Sequence, residues 1–192
     1  MTAVSFAIFE TAIGACGIAW GDHGIAAVQL PEASEQKTRA RLQRRFPETR
    51  EAPPPPDVQH AVDGITALLR GEAIDLTAIT LDIEELPAFN RRVYDVARAI
   101  PPGATLSYGE IAARLGEPPQ AARDVGQALG QNPFPIIVPC HRVLAANGKP
   151  GGFSASGGVT TKLRLLTIEG AKTSDEPSLF QSLPLATKPR HR

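Results

Sequence analysis

A cysteine and a histidine stand side by side at Cys140-His141, directly after the run Asn132-Pro133-Phe134-Pro135-Ile136-Ile137-Val138-Pro139. A free thiol with a pKa of ~8.5 is only about 3% thiolate at neutral pH. A nucleophilic cysteine therefore needs a proton acceptor or a positive charge close by, and a backbone that presents the sulfur. Three prolines and the apolar run Ile136-Ile137-Val138 predict a stiff, extended approach to the pair. Neighbouring side chains on an extended chain point opposite ways, so His141 would reach the sulfur through a local bend or a bridging water. Glu169 ends an apparent helix over 159–170, where the helix dipole disfavours a carboxylate. That makes it a candidate third member of a relay, orienting the imidazole. The same residues also fit an inert buried cysteine beside a structural histidine, with Glu169 an ordinary surface carboxylate.

A second constellation lies just upstream. Arg123, Gly126, Gln127 and Gly130 fall together at i, i+3, i+4 and i+7 of the segment 120–130. A glycine inside a helix costs about 1 kcal/mol against alanine. Gly126 thus predicts either a large partner approaching the backbone there, or a plain surface glycine beside a solvated arginine. Gly130 is read as a helix C-cap.

The elements that must position these residues follow from punctuation and periodicity. Ser107-Tyr108-Gly109-Glu110 is a capping box opening a helix with Tyr108, Ile111, Ala112 and Leu115 inward. Gly116-Glu117-Pro118-Pro119 turns it into the next helix, where Ala121, Val125, Ala128 and Leu129 face inward, giving helix-turn-helix dimensions. Before them, 87–100 is an amphipathic helix stopped by Pro101-Pro102-Gly103. Further upstream, 4–10 and 24–30 read as strands around a glycine-rich turn region, and 34–46 as a charged helix opened by Ser34. Residues 52–57 are a polyproline spacer, 58–69 a helix with Gly71 just beyond, and 73–85 an alternating strand. The expected organisation is an α/β domain over 1–86, a helical domain over 87–170 and a disordered tail over 171–192, which carries three prolines and mixed charge.

Composition sets the class. The chain has 192 residues, 42% hydrophobic and 21% charged, an ordinary globular balance. No stretch approaches ~18 apolar residues, and the N-terminus lacks a basic region and meets Glu10 early, so neither a membrane span nor a signal peptide is expected. Two cysteines far apart give little support to a disulfide framework or a Cys-rich zinc site, and set a reducing, cytoplasmic expectation. The formal net charge of zero hides an asymmetry: 7 Lys/Arg against 13 Asp/Glu in 1–86, but 9 against 5 in 87–170. A basic back half fits polyanion binding.

Pro139-Cys140-His141-Arg142-Val143, preceded by Asn132-Pro133 and Pro135, resembles the active-site signature of the O6-alkylguanine-DNA alkyltransferases. The likeness extends back through Ser107-Tyr108-Gly109-Glu110-Ile111-Ala112 and Ala121-Ala122-Arg123 with Val125-Gly126. It runs forward to Gly157-Gly158, Lys162, Leu165-Leu166 and Glu169-Gly170, and is looser in residues 9–14. The resemblance implies a small N-terminal α/β, RNase H-like domain and a C-terminal helix-turn-helix of winged-helix type. It implies a suicide repair protein that binds duplex DNA through the minor groove, flips out an O6-alkylated guanine and moves the alkyl group onto its own cysteine, with O4-alkylthymine a further candidate lesion.

By position, Cys140 would be the acceptor, His141 would take its proton through a water, Glu169 would orient His141, and Asn132 would support the network. Tyr108 would protonate the guanine ring and crowd the 3′ phosphate. Arg123 would fill the gap in the stack, with Ala122, Gly126 and Gln127 beside it on the DNA. The Val143 backbone, Ser156 and Pro135 would contact the base. No cofactor is implied, no metal is expected because Cys16, His23 and His60 lack a fourth ligand, and the protein is expected to act as a monomer.

This chain departs from the pattern in its longer loop at Ser154-Ala155-Ser156, and in Tyr94 where tryptophan is frequent, read as a packing swap. Competing classes are a non-catalytic lesion binder, against which Cys140 argues; a helix-turn-helix regulator, disfavoured by Gly126 and a short polar face; and a Cys-His hydrolase, which has no further support.

Overall fold

In the computed structural model, which describes residues 3–171, the apolar segments of the first half pair into one sheet. β1 (Ser5–Phe9), β2 (Cys16–Gly21) and β3 (Gly24–Gln29) run antiparallel, and β4 (Arg50–Glu51) pairs parallel to β1, in the order β3-β2-β1-β4. Alternation along the strands sorts their side chains. Phe6, Ala19 and Ala27 cluster with Leu42 of α1 (Glu35–Arg45). Ala7, Ile18 and Val28 join the main core with Ala61, Val62 and Ile65 of α2 (Pro56–Leu69).

Three expectations for this half need correction. Residues 16–21, read as part of a turn region, are the middle strand of the three-stranded meander. The small residues that look like a turn are there because α1 packs closely: a Cβ on Gly17 would run into Leu42 and crowd Ile8. The strand expected in 73–85 is a series of turns with one bridge, Leu81 beside Ile25. Its backbone is claimed elsewhere, because the guanidinium of Arg98 donates to the carbonyls of Leu76, Thr77 and Ile79 at 2.6–3.1 Å. The polyproline spacer is also shorter than read, since Pro56 and Asp57 already lie in α2. Proline suits a first helical turn, having no N–H to leave unpaired.

The second half is mostly helical: α3 (Ala88–Arg98), α4 (Tyr108–Arg114), α5 (Ala122–Gly130) and α6 (Gly158–Ile168). The capping box forms as read: Ser107 Oγ accepts from the Glu110 amide at 3.1 Å, and the Glu110 carboxylate accepts from the Ser107 amide at 2.6 Å. A 3-10 turn over Pro119–Ala121 leads into α5. Tyr94 does more than pack, because its hydroxyl donates to the Ala128 carbonyl at 2.9 Å and ties α3 to α5.

Two short strands, β5 (Leu106–Ser107) and β6 (Val143–Leu144), pair in parallel. β5 runs straight into Tyr108, and β6 directly follows the Cys140 segment. One pairing thus brings Tyr108 and Cys140 together. The main core is continuous from Ala7 to Leu165. Apart from Ala171, the tail expectation falls outside the described residues.

Candidate active site

The approach to Cys140 is a tight loop rather than the extended chain expected. Asn132 closes it from both ends: its side-chain amide donates to the Val138 carbonyl at 2.8 Å, and its oxygen accepts from the Phe134 amide at 2.9 Å. The Val138 amide donates to the Phe134 carbonyl at 2.8 Å. Ile136 is buried at φ 75°, a conformation that costs a β-branched residue roughly 1–3 kcal/mol. The sheet pins the loop, with the Val28 amide donating to the Pro133 carbonyl at 2.9 Å. Cys140–Arg142 then form a single 3-10 turn before β6.

Behind the cysteine lies a buried polar network. His141 Nε2 is 2.8 Å from Glu169 Oε1, and both side chains are 1% exposed. Arg142 grips the same carboxylate with Nε and Nη2, each at 2.9 Å, while its Nη1 donates to the Ile100 carbonyl. Burial alone would raise the Glu169 carboxyl, but hydrogen bonds from His141 and Arg142 overcome it and hold the pKa at about 2. An ionised carboxylate only accepts, so Nε2 carries the imidazole proton and Nδ1 is left as the basic nitrogen. Nδ1 is buried and makes no hydrogen bond among the described residues. Burial outweighs Glu169 and lowers the His141 pKa, so the ring is neutral at pH 7.

Cys140 itself is half-buried. Burial pushes its thiol up, opposed by Asn132 and by the positive charge of Lys162. Lys162 is fully buried, donates to the Val143 carbonyl, and sits 5.8 Å from the Tyr108 ring centroid. Desolvation pulls its pKa down to about 8, against the attraction of Cys140. Burial raises the Tyr108 phenol, as does Cys140, so the phenol remains a proton donor at neutral pH.

Cys140 opens on two cavities. Tyr108, Gly126, Leu129, Gly130 and Phe153 line the first with it, about 440 Å³. Asn132, Pro135 and Ser156 border the second, about 270 Å³. Tyr108, Gly126, Asn132, Pro135, Cys140 and Ser156 thus gather as expected, with His141 and Glu169 packed behind. Val143 is buried and its carbonyl is already engaged by Lys162. Arg123 and Gln127 are exposed on the outer face of α5, Arg123 without an ion pair among the described residues, and Ala122 is half-buried at its start.

Gly126 meets only the Tyr108 ring, at 3.7–3.8 Å from where a Cβ would lie. The protein itself therefore leaves room for a side chain there. Gly130 is not the left-handed cap expected: it is the last helical residue, and Gln131 caps α5 at φ −95°. Its bare backbone instead borders both cavities.

Lys162 and Arg142 are part of the site's buried geometry, although the sequence reading gave neither a role. A lysine in register with Leu165 and Leu166 on a buried helix face was the signal for the first, and a place inside Pro139-Cys140-His141-Arg142-Val143 the signal for the second. Cys16 is buried in the core, and burial pushes its thiol up to about 12. Among the described residues no group of three His, Cys, Asp or Glu side chains could hold a metal, and no helix is long and apolar enough to cross a membrane.

Residues 88–171 match the family model described as 6-O-methylguanine DNA methyltransferase, DNA binding domain. The methylated-DNA–protein-cysteine methyltransferase of Methanothermobacter thermautotrophicus is 38% identical over 154 residues, covering 80% of this chain and 78% of that protein. The protein of the same name from Mycobacterium tuberculosis is 42% identical over 128 residues, 67% of this chain and 74% of that one. The crystal structure of Mycobacterium tuberculosis OGT in complex with DNA matches with a TM-score of 0.69 at 34% identity, covering 87% of this chain and 93% of that one.

Proposed function

The chain belongs to the methylated-DNA–protein-cysteine methyltransferase family, and on that premise we propose that it repairs O6-alkylguanine in duplex DNA by a single irreversible transfer to Cys140. The observation that carries this reading is the Arg142–Glu169–His141 network behind a cavity-lining cysteine, with a phenol on the same cavity.

The flipped guanine occupies the larger cavity. The Cys140 proton passes through a bridging water to Nδ1 of His141, and Glu169 stabilises the resulting imidazolium. The sulfur attacks the alkyl carbon; the S–C bond forms as the C–O6 bond breaks, and the electron pair leaves with the guanine. Tyr108 donates a proton to the ring nitrogen as that charge develops, without which guanine would be a poor leaving group. Lys162 holds the Val143 carbonyl and supplies positive charge close to the developing thiolate.

Extruding a base costs a few kcal/mol. Arg123, exposed on α5, fills the gap in the stack, while Ala122, Gly126 and Gln127 lie along the minor groove. Pro135 and Ser156 border the adjoining cavity, Val143 is buried behind Cys140, and the protein works as a monomer. O4-alkylthymine presents the same alkoxy group on a ring and is a second lesion to assay.

Water has no route to cleave the thioether at neutral pH, so each molecule reacts once. With excess O6-methylguanine duplex, repaired lesion should plateau at one equivalent of protein. Linear turnover past that point would replace this reading with a hydrolytic one.

A further inference from the structure

A third cavity, about 350 Å³, lies behind the buried network, and Cys140 is not part of its wall. It occupies the seam between the two halves of the chain. Leu68 and the turns over 73–77 form one side; residues 98–102 with Ile136, Ile137 and Arg142 form the other. The volume falls within the ~300–1,000 Å³ of small-molecule sites. Leu68, Ile74, Leu76, Ile100, Ile136 and Ile137 make the wall largely apolar.

Two guanidiniums and one carboxylate complete the lining: Arg98, Arg142 and Asp75. Asp75 is exposed and accepts from the Thr77 amide at 2.8 Å. Glu169 neutralises Arg142. Arg98 has no such partner. It makes no ion pair among the described residues, and all three of its hydrogen bonds run from Nη2 to carbonyls. Its Nε is buried without an acceptor, a costly state for a donor. Burial lowers the Arg98 pKa, against the attraction of Asp95 and Asp75. A cation short of acceptors on an apolar wall complements an anion with an apolar body.

We propose that the seam cavity binds a small carboxylate with an apolar body, and that Arg142 and Ile136 couple its occupancy to the active site. Both residues belong to the cavity and to the site. Ile136, held at φ 75°, lies in the loop that leads to Cys140. Arg142 grips Glu169 with Nε and Nη2, while its Nη1 donates to Ile100, another wall residue. An anion in the cavity competes with Glu169 for that guanidinium, and a loosened Glu169 orients His141 less firmly. Occupancy therefore slows transfer without obstructing the DNA face. The coupling rests on the repair reading above; the site itself does not.

Hexanoate is the probe and hexanamide its neutral match, titrated at constant ionic strength against the amide NMR signals of residues 73–77 and Ile100. Hexanoate should bind about fivefold more tightly than hexanamide. Arg98→Met should bring that ratio close to one and leave methyl transfer unchanged. Asp75→Asn, which removes the like charge, should widen the ratio, and it carries the charge test alone if Arg98→Met does not fold. Saturating hexanoate should slow single-turnover methyl transfer about fivefold, leave duplex affinity unchanged, and have no effect on the rate of Arg98→Met. Equal binding of the two probes, or none, overturns the site. Binding without a change in rate overturns the coupling. Slowing that persists in Arg98→Met, with weaker duplex binding, also overturns the coupling and places the anion on the DNA face. A protein that transfers no methyl overturns the repair reading and the coupling, while the titration still decides the site.

Discussion

A cysteine lifted by burial is a poor nucleophile at rest, so the reactivity of Cys140 has to come from a base that acts on demand. The ionised Glu169 fixes the tautomer of His141, and its depressed pKa comes first from the histidine and then from Arg142, against the burial that would raise it. His141→Ala should therefore slow alkyl transfer by about 10²-fold at pH 7. The unaltered protein should lose rate as pH falls below the ordinary histidine value of ~6.5, because its own value is lowered. The variant should instead gain rate steadily into the alkaline range. Sequence alone would set its thiol near ~8.5; burial sets it higher. Parallel pH profiles for the two proteins would reduce His141 to a structural role.

The carboxylate also makes a stability argument. Arg142→Met removes two of the three hydrogen bonds to a side chain that is 1% exposed, and breaking such a pair costs roughly 3–5 kcal/mol. Because the folded pKa of Glu169 is depressed, its contribution is present above the unfolded value of ~4.3. It is lost as pH falls towards about 2. Urea midpoints of the two proteins should differ widely at pH 7 and converge in that acid window; a constant gap would contradict the assignment.

Among the elements, α5 separates what the fold needs from what the ligand needs. A Cβ at Gly126 makes only ordinary contact with Tyr108, and alanine improves helix propensity by about 1 kcal/mol. Gly126→Ala should raise the melting temperature yet weaken duplex binding, because only an approaching partner requires the bare backbone. If binding is unchanged, Gly126 serves no interface. Arg123→Ala should slow repair of duplex while reacting nearly normally with a free O6-benzylguanine base, where nothing has to be extruded.

Helices and caps were legible because their signals are local: Ser107 and Glu110 cap each other within four residues. β2 was not, since its small residues answer to Leu42 on another element. Nor was the turn chain in 73–85, whose carbonyls are taken by Arg98. The looped approach to Cys140 was hidden for the same reason: its prolines are visible in the sequence, but the closure is made by the Asn132 side chain.

At the scale of the whole molecule, the two halves meet at the site. β3 holds the active-site loop through Val28 and Pro133, and α1 borders the second cavity. The acidic tally of the first half concealed this, because α1 itself carries Lys37, Arg39, Arg41, Arg44 and Arg45 against Glu35. The chain has two thiols, and the fold treats them oppositely. Cys16 is sealed in the core with its pKa up at about 12, whereas Cys140 lines both cavities beside the His141–Glu169 pair.

Peptide mass mapping after reaction with an O6-methylguanine duplex tests that contrast most directly. The account predicts one added methyl on the peptide containing Cys140, full activity in Cys16→Ser and none in Cys140→Ser. Methyl on the Cys16 peptide, or transfer that survives Cys140→Ser, would contradict it.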